Sequence, residues 1–277
     1  MKEIDRLMSG AIDMHVHGGP DPYAKRRVDA LEIARQAADA GMRAVVFKSH
    51  YYCTAPVASM VNKCIGADVL VGSIALNVHV GGLNPSALEA AAKGGAKIVW
   101  MPTVSAMGPH QNNQTPVPLL TKTGELVPQM GPILDIVKTH EMVLATGHIS
   151  ATEVAAVVTE ARRREIKVII THPLAGPEGG LISIEEAKSY TSMGGYIEHC
   201  FLACMPPINL NPALMAEYVK AIGPEHCIIS TDHGQATNPP PLEGFRNMLE
   251  CMLRNGLSEG ELNTLVRVNP SKLLGFL

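Results

Sequence analysis

Ala11-Ile12-Asp13-Met14-His15-Val16-His17-Gly18-Gly19 is the stretch from which this chain is best read. Its apolar residues and the glycines that stop it predict a buried strand. Residues i and i+2 of an extended strand share a face, so the imidazoles of His15 and His17 are directed at one point. Two converging nitrogens begin a metal site, although a lone His-x-His also occurs on polar surfaces. What decides between those readings lies further along the chain.

Working outward, a helix is expected over Arg26 to Ala40, with Gly41 just past its end. Short apolar runs then recur: Arg43 to His50, Asp68 to Asn77, Ala96 to Thr103, Met142 to His148, Lys167 to His172, Gly195 to Cys200 and His226 to Asp232. Amphipathic patterns lie between them, such as Asn84-Pro85 opening a helix, Thr152 to Arg164, and Asn211 to Ile222. Strand alternating with helix predicts an α/β fold, and the number and spacing of the units predict a (β/α)8 TIM barrel occupying residues 1–277 as one domain. One interval is too long. Ser105 to Gly131 carries a Thr-Lys-Thr-Gly-Glu turn between Leu119-Leu120 and Leu126-Val127, which predicts a β-hairpin inserted after strand four and standing over the barrel mouth. Ser258 to Leu277 is expected to form extra C-terminal helices packed on the outside.

Composition agrees with this reading. The chain has 277 residues, 46% of them hydrophobic, 18% charged and only 4% aromatic, a palette suited to buried parallel strands rather than a β-sandwich. A formal net charge of -3 gives no reason to expect nucleic acid or an anionic membrane as partner. The opening Met1 to Met8 lacks a signal-peptide pattern, and no segment reaches ~18 uninterrupted apolar residues, so a cytoplasmic location is expected. The cysteines show no paired framework and are expected as free thiols, with Cys200 and Cys204 alone kept in view as pocket lining.

Polar residues sort by position along the predicted strands. The C-terminal strand ends of a barrel share one mouth, and these ends carry His15 and His17, Lys48 and His50, His148, His172, Glu198 and His199, and Asp232 and His233. Ionisable groups would be excluded from such places unless they were used. Scattered surface histidines have no reason to collect there, whereas His110, His140 and His226 fall in loops or at helix ends. Several histidines with one carboxylate suit Zn²⁺, or another first-row divalent metal such as Mn or Fe. Tyr51, Tyr52, His79, Trp100 and Met101 are candidate pocket walls.

These residues carry a resemblance. His15-x-His17 after strand one, His148 in Thr-Gly-His-Ile-Ser after strand five, His172 in Ile-Thr-His-Pro after strand six, and Asp232 in Ser-Thr-Asp-His after strand eight are similar to the ligand pattern of the amidohydrolase superfamily, metal-dependent (β/α)8-barrel enzymes. The closing Asn269-Pro-Ser-Lys-Leu-Leu-Gly also resembles the tail common among them.

The resemblance implies a metal held by His15, His17 and Asp232, with His148 or His172 completing the set, and Asp232 acting as general base toward an activated water. Catalytic roles are expected for Asp232, His172 and Lys48; Lys48, His50, Glu198, His199 and His233 are expected around the substrate. By strand parity Asp13 shares a face with His15 and could accept an imidazole N–H, or it could simply meet solvent or backbone. Superfamily members often carry a carbamylated lysine or a glutamate after strand four to bridge two metals. Here that strand ends in Val99-Trp100-Met101-Pro102-Thr103, so one metal is favoured over two, while Lys48 stays open as a carbamylated bridge or as an ammonium binding a carboxylate. Adjacent Glu198 and His199 face opposite ways in a strand, and the sequence does not choose which faces the mouth. The expected substrate is a small molecule, in one reading bearing a carboxylate, and a homo-oligomer is expected from the resemblance. Hydrolysis of an amide, lactam or related C–N centre, decarboxylation or C–C bond hydrolysis on the same site, and a phosphoesterase or non-catalytic barrel remain in competition.

Overall fold

Short β-branched runs take strand geometry and the amphipathic stretches between them take helix, in strict alternation. The computed structural model describes residues 3–107, 115–175 and 182–276. After α1 (Glu3–Met8) come β1 (Ile12–His17), α2 (Ala30–Asp39), β2 (Ala44–Lys48), α3 (Ala55–Ile65), a third stave divided at Gly72 into β3 (Leu70–Val71) and β4 (Ser73–Ala75), and α4 (Pro85–Lys93). They are followed by β5 (Ile98–Trp100), α5 (Met130–Thr139), β6 (Val143–Ala145), α6 (Ala151–Arg163), β7 (Val168–Ile170), α7 (Ile184–Ser192), β8 (Tyr196–Cys200), α8 (Pro212–Ile222), β9 (Cys227–Ser230) and α9 (Pro241–Arg254).

Neighbouring strands pair in parallel in chain order. The ring closes between β1 and the residues after β9, where His17 N donates to His233 O at 2.8 Å and Asp232 N donates to His15 O at 2.8 Å. The fold is a (β/α)8 barrel. Inside it, Ile12, Met14, Val46, Ile98, Trp100, Val143, Ile169 and Ile228 form one buried cluster; the outer strand faces and the helices form a second.

Helix ends follow local chemistry. Ser150 and Ser183 cap α6 and α7 in reciprocal boxes with Glu153 and Glu186. Asp29 does the same for α2 with Glu32, so that helix starts at Ala30 and not at Arg26 as its periodicity suggested. Residues 26–29 thereby remain in the loop above β1.

Two placements differ from expectation. Leu120 and Leu126 do form an antiparallel bridge around the Thr121–Gly124 turn. Yet Leu119 is fully buried and its amide donates to Glu153 Oε1 at 3.1 Å, and the turn flanks a groove of about 630 Å3 lined by Ala155, Thr159 and Arg164 of the α6 segment. Burying Leu119 beside α6 lays the described part of the insertion along the barrel wall rather than across its mouth; residues 108–114 lie outside the described residues. The tail, α10 (Glu259–Asn263), a π turn over Thr264–Val268 and α11 (Asn269–Leu274), is not merely external. Leu273 and Leu274 join the inner cluster with Ile12 and Met14, and Asn269 Nδ2 donates to Cys227 O at 2.7 Å, so this tail plugs the end of the barrel opposite the mouth.

Candidate metal-binding active site

The site begins with an irregularity in β1. Its register against β2 runs Ile12–Ala44 and Asp13–Val45, then shifts so that Val16 meets Phe47 and His17 meets Lys48. The extra residue is a β-bulge, which lets Ile12 and Met14 face the inner core while His15 and His17 still face the mouth. It also takes Asp13 out of step with the histidines, overturning the parity argument. Asp13 accepts instead from Thr231 Oγ1 (2.6 Å), Thr231 N (3.1 Å) and His15 N (3.2 Å), tying β1 to β9 directly beneath the site. Burial pushes its carboxyl up to about 7.

Other strand ends are shaped as specifically. Gly147 has a φ of 63° and its position would bring a Cβ within 2.4 Å of Met101 O, so only glycine admits the turn that delivers His148. His172 and Asp232 leave β7 and β9 with φ of 29° and 54°, left-handed values that a non-glycine residue adopts at a cost. Both strained residues line the same cavity at the barrel mouth, whereas Glu141, Glu165 and Asn209, which share the left-handed conformation, do not.

The side chains converge. Asp232 Oδ1 lies 3.1 Å from His15 Nε2 and 3.2 Å from His17 Nε2. His148 and His172 lie nearby with ring centroids 5.0 Å apart and their planes tilted, and His172 stacks 5.8 Å from His15. His17, His50, His148, His172 and Asp232 line one cavity of about 130 Å3. Burial holds His15, His17, His50 and His148 well below the ordinary imidazole range, and lowers His172 as well. Neutral imidazole is the form that ligates metal. His172 Nδ1 and His17 Nδ1 are buried without a hydrogen-bond partner among the described residues. Two neutral nitrogens aimed at one carboxylate oxygen, with a third histidine unsatisfied alongside, form a donor set that a divalent cation fits.

Lys48 is buried with Nζ 2.9 Å from His15 Nε2 and 4.2 Å over the Trp100 ring. Burial lowers its ammonium below the ordinary lysine range, against the pull of Asp232 and Glu198. Trp100, itself fully buried and 4.5 Å from the His15 ring, floors the site. The β8 ambiguity resolves by geometry. Glu198 faces inward, its Oε2 3.3 Å from His15 Nδ1, and burial pushes its carboxyl up to about 7. His199 faces the helices, 6.1 Å from the Tyr218 ring, and so lies away from the cavity where a substrate contact was expected. His233 is likewise turned outward, toward Phe201 and the α9 backbone at Gly244. His50 does reach the cavity, anchored by Thr103 Oγ1 at 2.8 Å from its Nδ1.

Cys200, kept in view from the sequence, belongs here, as do two residues the sequence passed over. Cys200 Sγ lies 3.6 Å from His15 Nδ1, and ligand atoms of His15, Cys200 and Asp232 all fall within 4.8 Å of one another, a grouping able to hold a metal ion. Arg26 and Gln235 line the cavity too, Gln235 donating through Nε2 to Asp232 O at 2.9 Å. Arg26 sits in a charged loop with Lys25 and Arg27, and only the folded chain singles it out.

Comparison with known proteins bears on the fold and the family. Solved structures with this architecture include an amidohydrolase from Pseudomonas aeruginosa, 16% identical with a TM-score of 0.67 over 98% of each chain. A protein described as a 2-pyrone-4,6-dicarboxylic acid hydrolase from Pseudomonas putida is 18% identical, with a TM-score of 0.66 over 96% of this chain and 98% of that one. A 2,6-dihydroxybenzoate decarboxylase complexed with 2,6-dihydroxybenzoate is 12% identical, with a TM-score of 0.61 over 96% and 99%. These likenesses show the fold, a (β/α)8 barrel that the chain shares with those enzymes. No curated protein matches the chain in sequence. Residues 10–198, which include β1 through most of β8, match the family described as "Family of unknown function (DUF6282)", and the chain belongs to that family.

Proposed function

We propose that the chain is a metal-dependent hydrolase of a small molecule, acting at an amide, lactam or related C–N centre. The observation that carries this reading is the single oxygen Asp232 Oδ1, set 3.1 and 3.2 Å from two neutral Nε2 atoms at the barrel mouth. His15, His17 and Asp232 would hold the ion, with His148 or His172 completing the set. Zn²⁺ suits these donors best, and one ion is favoured because β5 ends in Trp100-Met101 and offers no bridging carboxylate. Such an ion supplies Lewis acidity, activating water and polarising the scissile carbonyl.

The protein's own groups do the rest. Asp232 takes the proton of the attacking water and returns it to the leaving nitrogen, general base and then general acid. Glu198 accepts from the Nδ1 side of His15, which keeps Nε2 as the lone-pair nitrogen facing the mouth. Lys48, buried beside the same Nε2, brings positive charge to where the carbonyl oxygen becomes negative. His172, across from His15, is positioned to hydrogen-bond that oxygen or to ligate.

A second reading, decarboxylation or C–C bond hydrolysis, is favoured by Lys48 itself, since an amine buried against His15 beneath the cavity is a ready partner for a carboxylate at the reacting centre. The two are separated by product. Screening metal-loaded protein against amides and heterocycles should give amine or ammonia release; CO₂ release without it would favour the second. Asp232→Asn should lower turnover of the discovered substrate by about 10²–10⁴-fold. Full turnover in that variant would remove Asp232 as the base.

A further inference from the structure

Above β1, in the loop left free by the late start of α2, Arg26 is held in an unusual way. Asp21 accepts from Tyr23 N and Ala24 N through Oδ1, both at 2.9 Å, which fixes the loop as a tight turn. Its other oxygen, Oδ2, receives both Arg26 Nε (2.7 Å) and Arg26 Nη2 (2.6 Å). The Asp21 side chain is 2% exposed and that of Arg26 9% exposed, so this pair is built into the protein and is no surface ion pair. The backbone is fixed as well: Arg26 bridges Gln235, and Arg27 N donates to Gly234 O at 3.0 Å, tying the loop to the segment that leaves Asp232.

The consequence is a guanidinium with one edge spent and one edge available. Both bonds to Asp21 go to a single oxygen, so the Nη1 side of the fork has no acceptor among the described residues. That group lines the same cavity as His17, His50, His148, His172 and Asp232. A planar fork held on one edge by a buried carboxylate, and open on the other, matches the geometry of a carboxylate oxygen pair.

We propose that Arg26 is a specificity-determining residue that anchors a carboxylate of the substrate, and that Asp21 positions it. The substrate is then a small carboxylic acid whose reacting centre lies across the cavity, toward Asp232. This rests on the reading of the cavity as the place where Asp232 works. Lys48 lies deeper, beneath His15 and over Trp100, and is left to serve the reacting centre while Arg26 holds the remote end.

The test uses succinate as probe and succinamide, its neutral counterpart, as control, with binding followed by calorimetry on purified protein, both as isolated and after chelation. Wild type should bind succinate and not succinamide, and should keep that preference after chelation. Arg26→Gln should weaken succinate binding at least tenfold with metal content unchanged and the fold retained by circular dichroism, the melting temperature falling because Asp21 loses its buried partner. Arg26→Lys, which keeps the charge but loses the fork, should fall between them and guards against a folding defect in the glutamine variant. Equal succinate affinity in wild type and Arg26→Gln overturns the assignment, as does equal binding of succinamide. The outcome also separates this proposal from the one beneath it. Succinate binding that vanishes on chelation and ignores Arg26→Gln refutes the anchor and leaves the metal reading standing. Arg26-dependent binding in a protein that neither carries a divalent ion as isolated nor takes one up refutes the metal reading and leaves the anchor.

Discussion

The His15 imidazole is engaged on both sides. Its Nε2 faces Asp232 Oδ1 and Lys48 Nζ at 3.1 and 2.9 Å, while its Nδ1 faces Glu198 Oε2 at 3.3 Å. A carboxylate behind a ligating histidine fixes its tautomer and raises its basicity, and losing such a partner commonly costs about 10- to 100-fold in metal affinity. Glu198→Ala is therefore expected to weaken metal binding by that order, measured by competition against a chromogenic chelator. Glu198→Gln keeps an acceptor oxygen and should lose less. Equal affinity in wild type and both variants would show that Glu198 does not act through His15. Burial pushes both carboxyls that brace the site, Glu198 and Asp13, above the usual carboxylate range.

At the scale of elements, the β9–β1 seam is where the barrel closes and where the site is assembled. Asp13 accepts two hydrogen bonds across it from Thr231 and a third from His15 N on its own strand, so Asp13→Ala strands the Thr231 hydroxyl and two amides. A loss on the order of 2–4 kcal/mol is expected from such unsatisfied groups, read from urea unfolding; a change below about 0.5 kcal/mol would remove the seam from the account. Gly234 belongs to the same junction, since a Cβ there would meet His17 O at 2.0 Å. The strands themselves were plain in the sequence, because parallel staves buried on both faces read as short apolar runs and the mouth-facing histidines mark their ends. The β1 bulge was not, because it exists only in the pairing of β1 with β2; that is why Asp13 was placed on the wrong face. Arg26 was hidden for a related reason: its orientation is set by Asp21 and by the Gln235 segment, and nothing local distinguishes it from Lys25 or Arg27. The insertion's turn was readable from its residues, and one isolated bridge closes it, but its lie against α6 depends on Leu119 finding Glu153 and a buried seat.

For the whole molecule, acid stability carries a signature of the outward-facing histidines. His199 is fully buried, both ring nitrogens lack partners among the described residues, and burial depresses it to about 4 from an ordinary 6.5. In the unfolded chain this imidazole takes up its proton near pH 6.5, while in the folded protein it does not until about 4. The unfolded state binds more protons across that interval. Stability linked to this group is complete above pH 6.5 and is lost as pH falls toward 4, by about 1.4 kcal/mol per pH unit at most. His199→Leu fills similar space without the ionisable ring, so its stability relative to wild type should grow as pH is lowered from 7 to 4.5. A difference that stays constant across that range would contradict the burial argument.

The same scale carries the central claim, that the mouth of this barrel is a metal site. No helix among the described residues is long and apolar enough to cross a membrane, and the ionisable groups of the inner barrel gather at one end, where Asp232 faces His15, His17 and the cavity histidines. The most direct test is elemental analysis of protein purified without chelator, alongside His15→Ala and His17→Ala variants shown to be folded by circular dichroism. The account predicts about one equivalent of Zn²⁺, Mn²⁺ or Fe²⁺ per chain, lost in both variants. Two equivalents would contradict the single-ion assignment, and a wild-type protein that neither carries nor takes up a divalent ion would contradict the metal site itself.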